Sequence, residues 1–360
     1  VTDLSQRFSF DPIARKIIVH TGKVEIGQHV HSAFANIVAQ NLAIDISHVR
    51  VSSVTTEVSP DDGMTVGSLS MQVTGASLRG DAISLRDALV REASEKLGVS
   101  VADITIDGTT LEFHANGEQC SVFDLPTAMD TALKSNDDGG SLASASTIAD
   151  SILGKRQYIQ DLVLPGMMFA RALRGRQYTP KSTDAVRVIK DGGFSALLAD
   201  SEIALDRAWA QVDMESVKRD TSCDGPVASW IKLRRTETLT SGEISPNPTS
   251  IEKSVVQTAT RPFLLHASIA PSCAIARYDK GVLEVWTHSQ GIFPLRDTVA
   301  RHLGMSVDKV IVRHVPSAGC YGHNAADDAA MDAVLISLQL EGVAVRVVWT
   351  REDDFQHSPV

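Results

Sequence analysis

Apolar residues recur at helical spacing three times along this chain: Val30, Phe34, Ile37, Val38, Leu42; Leu78, Ala82, Leu85, Leu89, Leu97; and Phe293, Leu295, Val299, Leu303. Recurrence at i, i+3 and i+4 marks the buried face of an amphipathic helix. Each run stops at a Leu-Ala or Leu-Gly pair, where a helix ends. Seven residues beyond the last leucine a β-branched alternation begins, at Val49 and Val51, Ile104 and Ile106, and Val310 and Val312. The pattern predicts a helix-then-strand unit used three times, and hence α+β layers. Three widely spaced copies are too few for a repeat array.

Between the second and third units the pattern changes twice. Residues 134–151, "KSNDDGGSLASASTIADS", are Ser/Gly/Asp-rich without a period and read as a linker. A second polar break, "TLTSGEISPNPTS", covers 238–250. The stretch 154–220 mixes short alternating runs with one helical run and reads as a small α+β module.

Composition narrows the function classes. A 360-residue chain, 43% hydrophobic and 22% charged, has room for two or three domains and a core that needs no disulfide or metal staple. A net charge of −10 without a basic run argues against nucleic acid and anionic membranes as partners. No apolar stretch approaches the ~20 residues of a membrane helix, and the opening "VTDLSQRFSFDP" lacks the layout of a secretory signal. Cys120, Cys223, Cys273 and Cys320 form no C-x-x-C pair, which argues against an iron–sulfur or zinc ribbon and for reduced thiols in a cytoplasmic protein, with a periplasmic or inner-membrane-associated location the alternative.

Candidate chemistry gathers at the starts of the helices. Gln28 precedes Leu42 by fourteen positions and Gln290 precedes Leu303 by thirteen; both stand at Gly-containing turns after β-patterned runs. An amide beside helix N-terminal N–H groups suits an oxygen-rich or anionic ligand. The plainer reading of each is a glutamine that caps its own loop. In "GMTVGSLSMQVTGASLRGDA" (63–82), Gly67, Gly75, Ser68, Ser70 and Thr74 lie just ahead of a helix starting near Leu78. Glycines there permit close backbone approach, although Ser/Gly loops before helices are common. After the third unit's strand, "SAGCYGH" offers another glycine-lined bend. Its Cys320 and His323 read as metal ligands, as a nucleophile with its base, or as neither.

Taken together, these segments resemble the molybdopterin-binding subunit of the xanthine dehydrogenase and aldehyde oxidase family. The resemblance rests on "GKVEIGQHVHSAFANIVAQNLAI", "TVGSLSMQVTGA", "YIQDLVLPGMMFARALR", "HASIAPSCAIARYDKGVLEVWTHSQGIFPLRDTVARHLG", "GCYGHNAADDAAMDA" and "VRVVWTREDDF". Their order is that of the nicotinate dehydrogenase and isoquinoline 1-oxidoreductase large-subunit branch. It implies an α+β fold in which molybdopterin-binding segments flank a small α/β hammerhead domain. The expected divisions are 1–150 for the segment with the Gln28 and Ser/Gly loops, 151–225 for the hammerhead, and 226–360 for the N-terminal part of the first molybdopterin-binding domain.

The resemblance also assigns residues. Gln290, with Gly291, matches the glutamine near an oxygen ligand of molybdenum, and Gln28 a glutamine contacting the pterin. Thr65, Gly67, Ser68 and Ser70 match a loop at the pterin or its phosphate. Cys320, Tyr321 and Gly322 match a Gly-Phe-Gly loop close to the metal, so Cys320 acts through its backbone and is no ligand; the pterin dithiolene holds the molybdenum. Ala270 and His29 stand where relatives carry other residues, and His266 lies in a family-like "HAS". Asp327 and Asp328 read as helix caps, and "REDD" (351–354) as a solvated turn.

The implied activity is oxidation of an aldehyde or N-heteroaromatic substrate with water as oxygen donor. The implied cofactor is molybdopterin, as its cytosine dinucleotide, with molybdenum. Electrons pass to iron–sulfur clusters, for which this chain has no cysteines, so an iron–sulfur subunit is expected, with a cytochrome c or flavin subunit as a further partner. The family's Gly-x-Gly-Glu segment, whose glutamate is the general base, does not occur here. The expectation is that a second molybdopterin-domain chain or fragment carries it and that no catalytic residue lies in this chain. The alternative is a non-catalytic cofactor-binding or scaffold subunit.

Overall fold

The computed structural model describes residues 4–131, 151–179, 181, 185–213, 257, 264–322 and 327–358. His323, Cys223, the 238–250 break and nearly all of the 134–151 linker lie outside these residues.

After a short helix α1 (Leu4–Arg7), strands β1 (Phe8–Asp11) and β2 (Lys16–Val19) pair as an antiparallel hairpin, with Phe8 opposite Val19. Helix α2 (Val30–Leu42) follows, burying Val30, Phe34, Val38 and Leu42 along one face. It stops where Ala43 turns into the left-handed region and its N–H closes on Ala39 and Gln40. The Asp45 carboxylate then caps a single 3₁₀ turn, Ile46–His48, and β3 (Val49–Val51) runs parallel to β2.

A π-helical turn, Ser70–Gly75, opens directly into α3 (Ala76–Leu97), so helical backbone begins eight residues ahead of the start expected from Leu78. The α3 face of Leu78, Ala82, Leu85 and Leu89 packs on α2 in a common core with the hairpin. Its exit repeats the first: left-handed Gly98, a Ser100-capped 3₁₀ turn (Val101–Asp103), then β4 (Thr105–Asp107). Strands β5 (Glu112–Ala115) and β6 (Glu118–Ser121) complete an antiparallel three-stranded sheet with β4, and α4 (Pro126–Asp130) closes the segment.

The following module contributes β7 (Met168–Ala172), β8 (Val186–Asp191), β9 (Phe194–Ala199) and α5 (Glu202–Trp209). The third unit then copies the first. Strands β10 (Cys273–Asp279) and β11 (Val282–Thr287) form a hairpin, α6 (Ile292–Leu303) ends at left-handed Gly304, and a 3₁₀ turn (Val307–Lys309) leads to β12 (Val310–His314), parallel to β11. Helices α7 (Asp328–Ser337) and α8 (Arg351–His357) flank β13 (Ala344–Val348). These strands form one seven-stranded sheet in the order β12-β11-β10-β13-β7-β9-β8. Parallel pairing of Val345 with Met168 joins the 151–225 and 226–360 segments within it.

One sequence expectation is corrected. "REDD" is no solvated turn but the first turn of α8. Asp353 and Asp354 are buried there, Asp353 paired with Arg176 at 2.8 Å and Asp354 accepting from the Ser272 N–H. Burying a carboxylate is costly unless it is paired or hydrogen-bonded in this way.

The first and third units meet edge to edge. Residues 54–56, just past β3, lie antiparallel against β12: His314 N–H donates to Val54 O at 2.9 Å, and Thr56 N–H to Val312 O at 3.0 Å. This pairing brings the starts of α2 and α6 to the same region.

Candidate cofactor site

Gln290 and Thr65 clasp each other across 225 residues of chain. Thr65 N–H donates to Gln290 O at 2.8 Å, and Gln290 Nε2 donates to Thr65 O at 2.9 Å. Gly291 lets Met64 lie against the turn: a β-carbon there would stand 2.8 Å from Met64 Cγ. Thr65 Oγ1 accepts from Val24 N–H at 2.9 Å, and Lys23 Nζ donates to Met64 O at 2.7 Å. Burial lowers the Lys23 pKa against the pull of Asp62 and Asp61.

His314 is the second strut. Its Nε2 lies 3.0 Å from Glu25 O, in the first unit, and its Nδ1 3.2 Å from Ser289 O, in the third. Burial holds its pKa down to about 4, so the ring is neutral at pH 7 and donates to one carbonyl at a time. Ser289 Oγ in turn donates to Asp327 at 2.7 Å and accepts from Gly291 N–H at 3.0 Å. Asp327 was expected to cap α7, yet it makes no cap hydrogen bond there. Burial pushes its carboxyl up to about 7 despite the serine, with the Asp328 charge adding to the shift.

The two glutamines differ in what they leave open. Gln28 spends its amide on its own turn, accepting from Ile26 N–H at 2.7 Å and donating to Val24 O at 3.0 Å. A carboxylate of the chain already lies at the approach to the helix N-terminus beside it. The Glu25 carboxylate accepts there from the N–H groups of Gly27, His29 and, at 3.4 Å, His31. His29 carries φ 55°, the left-handed conformation that suits glycine, the residue the family resemblance places there in many relatives. Gln290, by contrast, is 4% exposed and its Oε1 finds no donor among the described residues. A sealed amide oxygen without a donor costs roughly 1–3 kcal/mol, which marks Gln290 as the group whose bonding the described residues leave incomplete.

The remaining candidates lie in the two loops. Gly67 and Ser68 are exposed and consecutive in the left-handed region, at φ 64° and 57°, and Ser70 begins the π turn. Left-handed serine is a strained state, and π turns recur at functional sites. Cys320 and Tyr321 line a cleft of about 380 Å³ opposite residues 26–28, with Arg156, Tyr158, Ser317 and Gly319 completing its wall. Gly322 stands over His266, and Ala270 N–H donates to Ala318 O, so the "HAS" segment backs this loop. Among the described residues no group of His, Cys, Asp and Glu has the makings of a metal site, no helix is long and apolar enough to cross a membrane, and Cys120, Cys273 and Cys320 form no disulfide. Lys23, Glu25, Arg156 and His314 are constituents that sequence reasoning missed.

Two molybdopterin cofactor-binding domain models match the chain, over residues 14–149 and 232–359. Each contains one of the two glutamine turns. The chain belongs to the molybdopterin-binding subunits of the xanthine dehydrogenase and aldehyde oxidase family. It is 28% identical to a nicotinate dehydrogenase chain of Pseudomonas putida over 95% of its own length and 32% of that protein's. Identity to the membrane-bound aldehyde dehydrogenase of Gluconacetobacter polyoxogenes is 26%, over 95% of this chain and 49% of the relative. A crystal structure of quinoline 2-oxidoreductase from Pseudomonas putida 86 aligns with 57% of this chain and 34% of that one, at 19% identity and a TM-score of 0.41. The chain thus spans about a third to a half of these curated relatives. As a molybdopterin-binding family member it binds a cofactor rich in N–H and O–H donors, which the buried Gln290 amide oxygen, without a donor among the described residues, would suit.

Proposed function

We propose that this chain is the molybdopterin-holding part of a molybdenum-dependent hydroxylase acting on an aldehyde or an N-heteroaromatic ring. The observation that carries the reading is the clasp of Thr65 and Gln290 with the open Gln290 Oε1. In this reading Gln290 orients the cofactor, the backbone around Gly67, Ser68 and Ser70 meets its phosphate, and the loop of Cys320, Tyr321 and Gly322 lies along its face. Gln28 acts by shaping the turn, since its amide is largely engaged. When bound, the molybdenum cofactor accepts two electrons from the substrate and delivers an oxygen that originates in water.

The protein's share of the chemistry is fixed geometry. Thr65 holds the Gln290 amide in one rotamer, and the neutral His314 joins the two turns so that their spacing survives without a ligand. Preorganisation of this kind makes polar groups effective in a water-poor site. The general base is assigned to no residue of this chain. We assign the cofactor as the cytosine dinucleotide form and place the iron–sulfur clusters, with a cytochrome c or flavin acceptor, in partner subunits.

The test is metal and pterin analysis of the native complex, with its chains identified by mass. The reading expects about one molybdenum and one pterin per chain, together with sequence carrying Gly-x-Gly-Glu and an iron–sulfur subunit. A complex holding neither molybdenum nor pterin would overturn it. Pterin without any Gly-x-Gly-Glu sequence in the complex would favour the non-catalytic scaffold instead.

A further inference from the structure

Arg156 is the odd cation of this molecule. Among the described residues, every other arginine that is buried or half-buried pairs with a carboxylate. Arg7 pairs with Asp62 and Asp81, Arg176 with Asp353, and Arg346 with Glu202. The half-buried arginines at 86, 171, 174, 277, 296 and 313 do the same. Arg156 forms no ion pair with the described residues; its Nε is sealed without an acceptor among them, as are those of Arg7, Arg171, Arg174, Arg176 and Arg346, so the missing carboxylate is what sets it apart. What it does have is a ring: its guanidinium lies 5.6 Å from the centroid of Tyr158.

Its surroundings explain what it is kept for. Among the described residues, Arg156 is the only ionic one lining the 380 Å³ cleft between the Gln28 turn and the Cys320–Tyr321 loop. The volume is that of a small-ligand pocket. The Glu25 carboxylate accepts from the Gly27 and His29 N–H groups just ahead of α2 and forms no ion pair with the arginine. Tyr158 and Tyr321 place two phenol rings on the cleft wall, Tyr321 52% exposed. A planar fork of donors beside aromatic faces is the arrangement that recognises a flat group bearing two oxyanion atoms.

We propose that this cleft is an oxyanion site in which Arg156 takes the carboxylate or phosphate oxygens of a ligand, with Tyr158 holding the guanidinium in place. Two sources share this chemistry: a phosphate of the cofactor, and a carboxylate on an aromatic substrate. The phosphate source rests on the reading of the chain as a molybdopterin holder; the carboxylate source does not.

The experiment uses the purified native complex and compares the binding of benzoate with that of benzamide, its neutral isostere, by calorimetry. Cofactor release is followed in parallel by pterin fluorescence, in wild type, Arg156→Gln and Arg156→Lys. A substrate-carboxylate site shows benzoate bound at least about tenfold tighter than benzamide, a preference lost in Arg156→Gln and partly kept in Arg156→Lys, with cofactor retention unchanged. A cofactor-phosphate site shows no preference for benzoate but cofactor release about tenfold faster in Arg156→Gln, restored in part by lysine. Both results support the oxyanion site and name its occupant. Equal binding of benzoate and benzamide together with unchanged cofactor release in Arg156→Gln overturns it, and assigns the guanidinium to a carboxylate elsewhere in the complex. If Arg156→Gln fails to fold, the wild-type benzoate preference and the cofactor release of Arg156→Lys decide the matter. Wild-type complex without pterin would sink the cofactor reading yet leave the benzoate comparison decisive for this one.

Discussion

The first and third units are two versions of one motif. Each is a hairpin, a glutamine turn, a helix closed by a left-handed residue, a single 3₁₀ turn and a strand parallel to the second hairpin strand. They part at the turn. In the first, Glu25 fills the helix N-terminus and Gln28 bonds to its own loop, so the turn is self-sufficient. In the third, Gly291 replaces the strained His29 as helix cap, Ser289 ties the turn to Asp327, and Gln290 reaches across to Thr65 with its oxygen left open. The same backbone scaffold thus leaves the amide bonded to its own loop in one copy and a buried amide oxygen without a donor among the described residues in the other.

The sharpest way to break this comparison is a matched pair of substitutions. Gln290→Ala is expected to lower turnover of the complex about 100-fold, the scale on which a preorganised polar contact acts, while Gln28→Ala stays within about threefold. Equal losses, or a Gln290→Ala loss matched by wholesale loss of thermal stability, would erase the distinction. Next in size is the strut between the copies. His314→Ala is expected to cost about 2–4 kcal/mol in urea unfolding, because it empties a fully buried site and strands the Glu25 or Ser289 carbonyl.

Asp327 sharpens the third copy through pH. Its carboxyl, ordinarily near 3.9, stands at about 7 in the fold. Below about pH 4 both states hold the proton. From there to about 7 the unfolded chain ionises and the folded one does not, so stability falls as pH rises, and above 7 the loss is constant. Asp327→Asn removes this loss: the stability difference between variant and wild type should grow by roughly 3 kcal/mol from pH 4 to 7. A flat difference would place the carboxyl outside this burial. The smallest effect belongs to the first copy. Glu25→Gln removes the charge from three helix-end amides and should cost about 1 kcal/mol in the same assay, with no change in cofactor content. Lost cofactor would tie the Glu25 charge to the cleft that this turn lines.

How much of this was legible depended on range. The spacing from Leu42 to Val49, Leu97 to Ile104 and Leu303 to Val310 declared three helix–strand units, because periodicity and helix stops are written locally. The 3₁₀ turns within those seven-residue steps were present as Asp45, Ser100 and Ser306 but passed as plain links. The glutamine turns were legible as candidates; which one is open was not, since the answer lies in Thr65, 225 residues from Gln290. "REDD" and Asp327 misled for the same reason. A carboxylate at a helix start reads as solvated or as a cap until Arg176 or Ser289 arrives from a distant segment. Arg156 is the extreme case, because its significance lies in standing unpaired among the described residues, which no stretch of sequence can announce.

The most direct measurement is a structure of the native complex with its cofactor bound, by crystallography or cryo-electron microscopy. The account predicts a pterin within hydrogen-bonding distance of the Gln290 amide, lying between the Gly67–Ser70 loop and the Cys320–Gly322 loop. A pterin held elsewhere, with the Gln290 oxygen facing only protein, would contradict it.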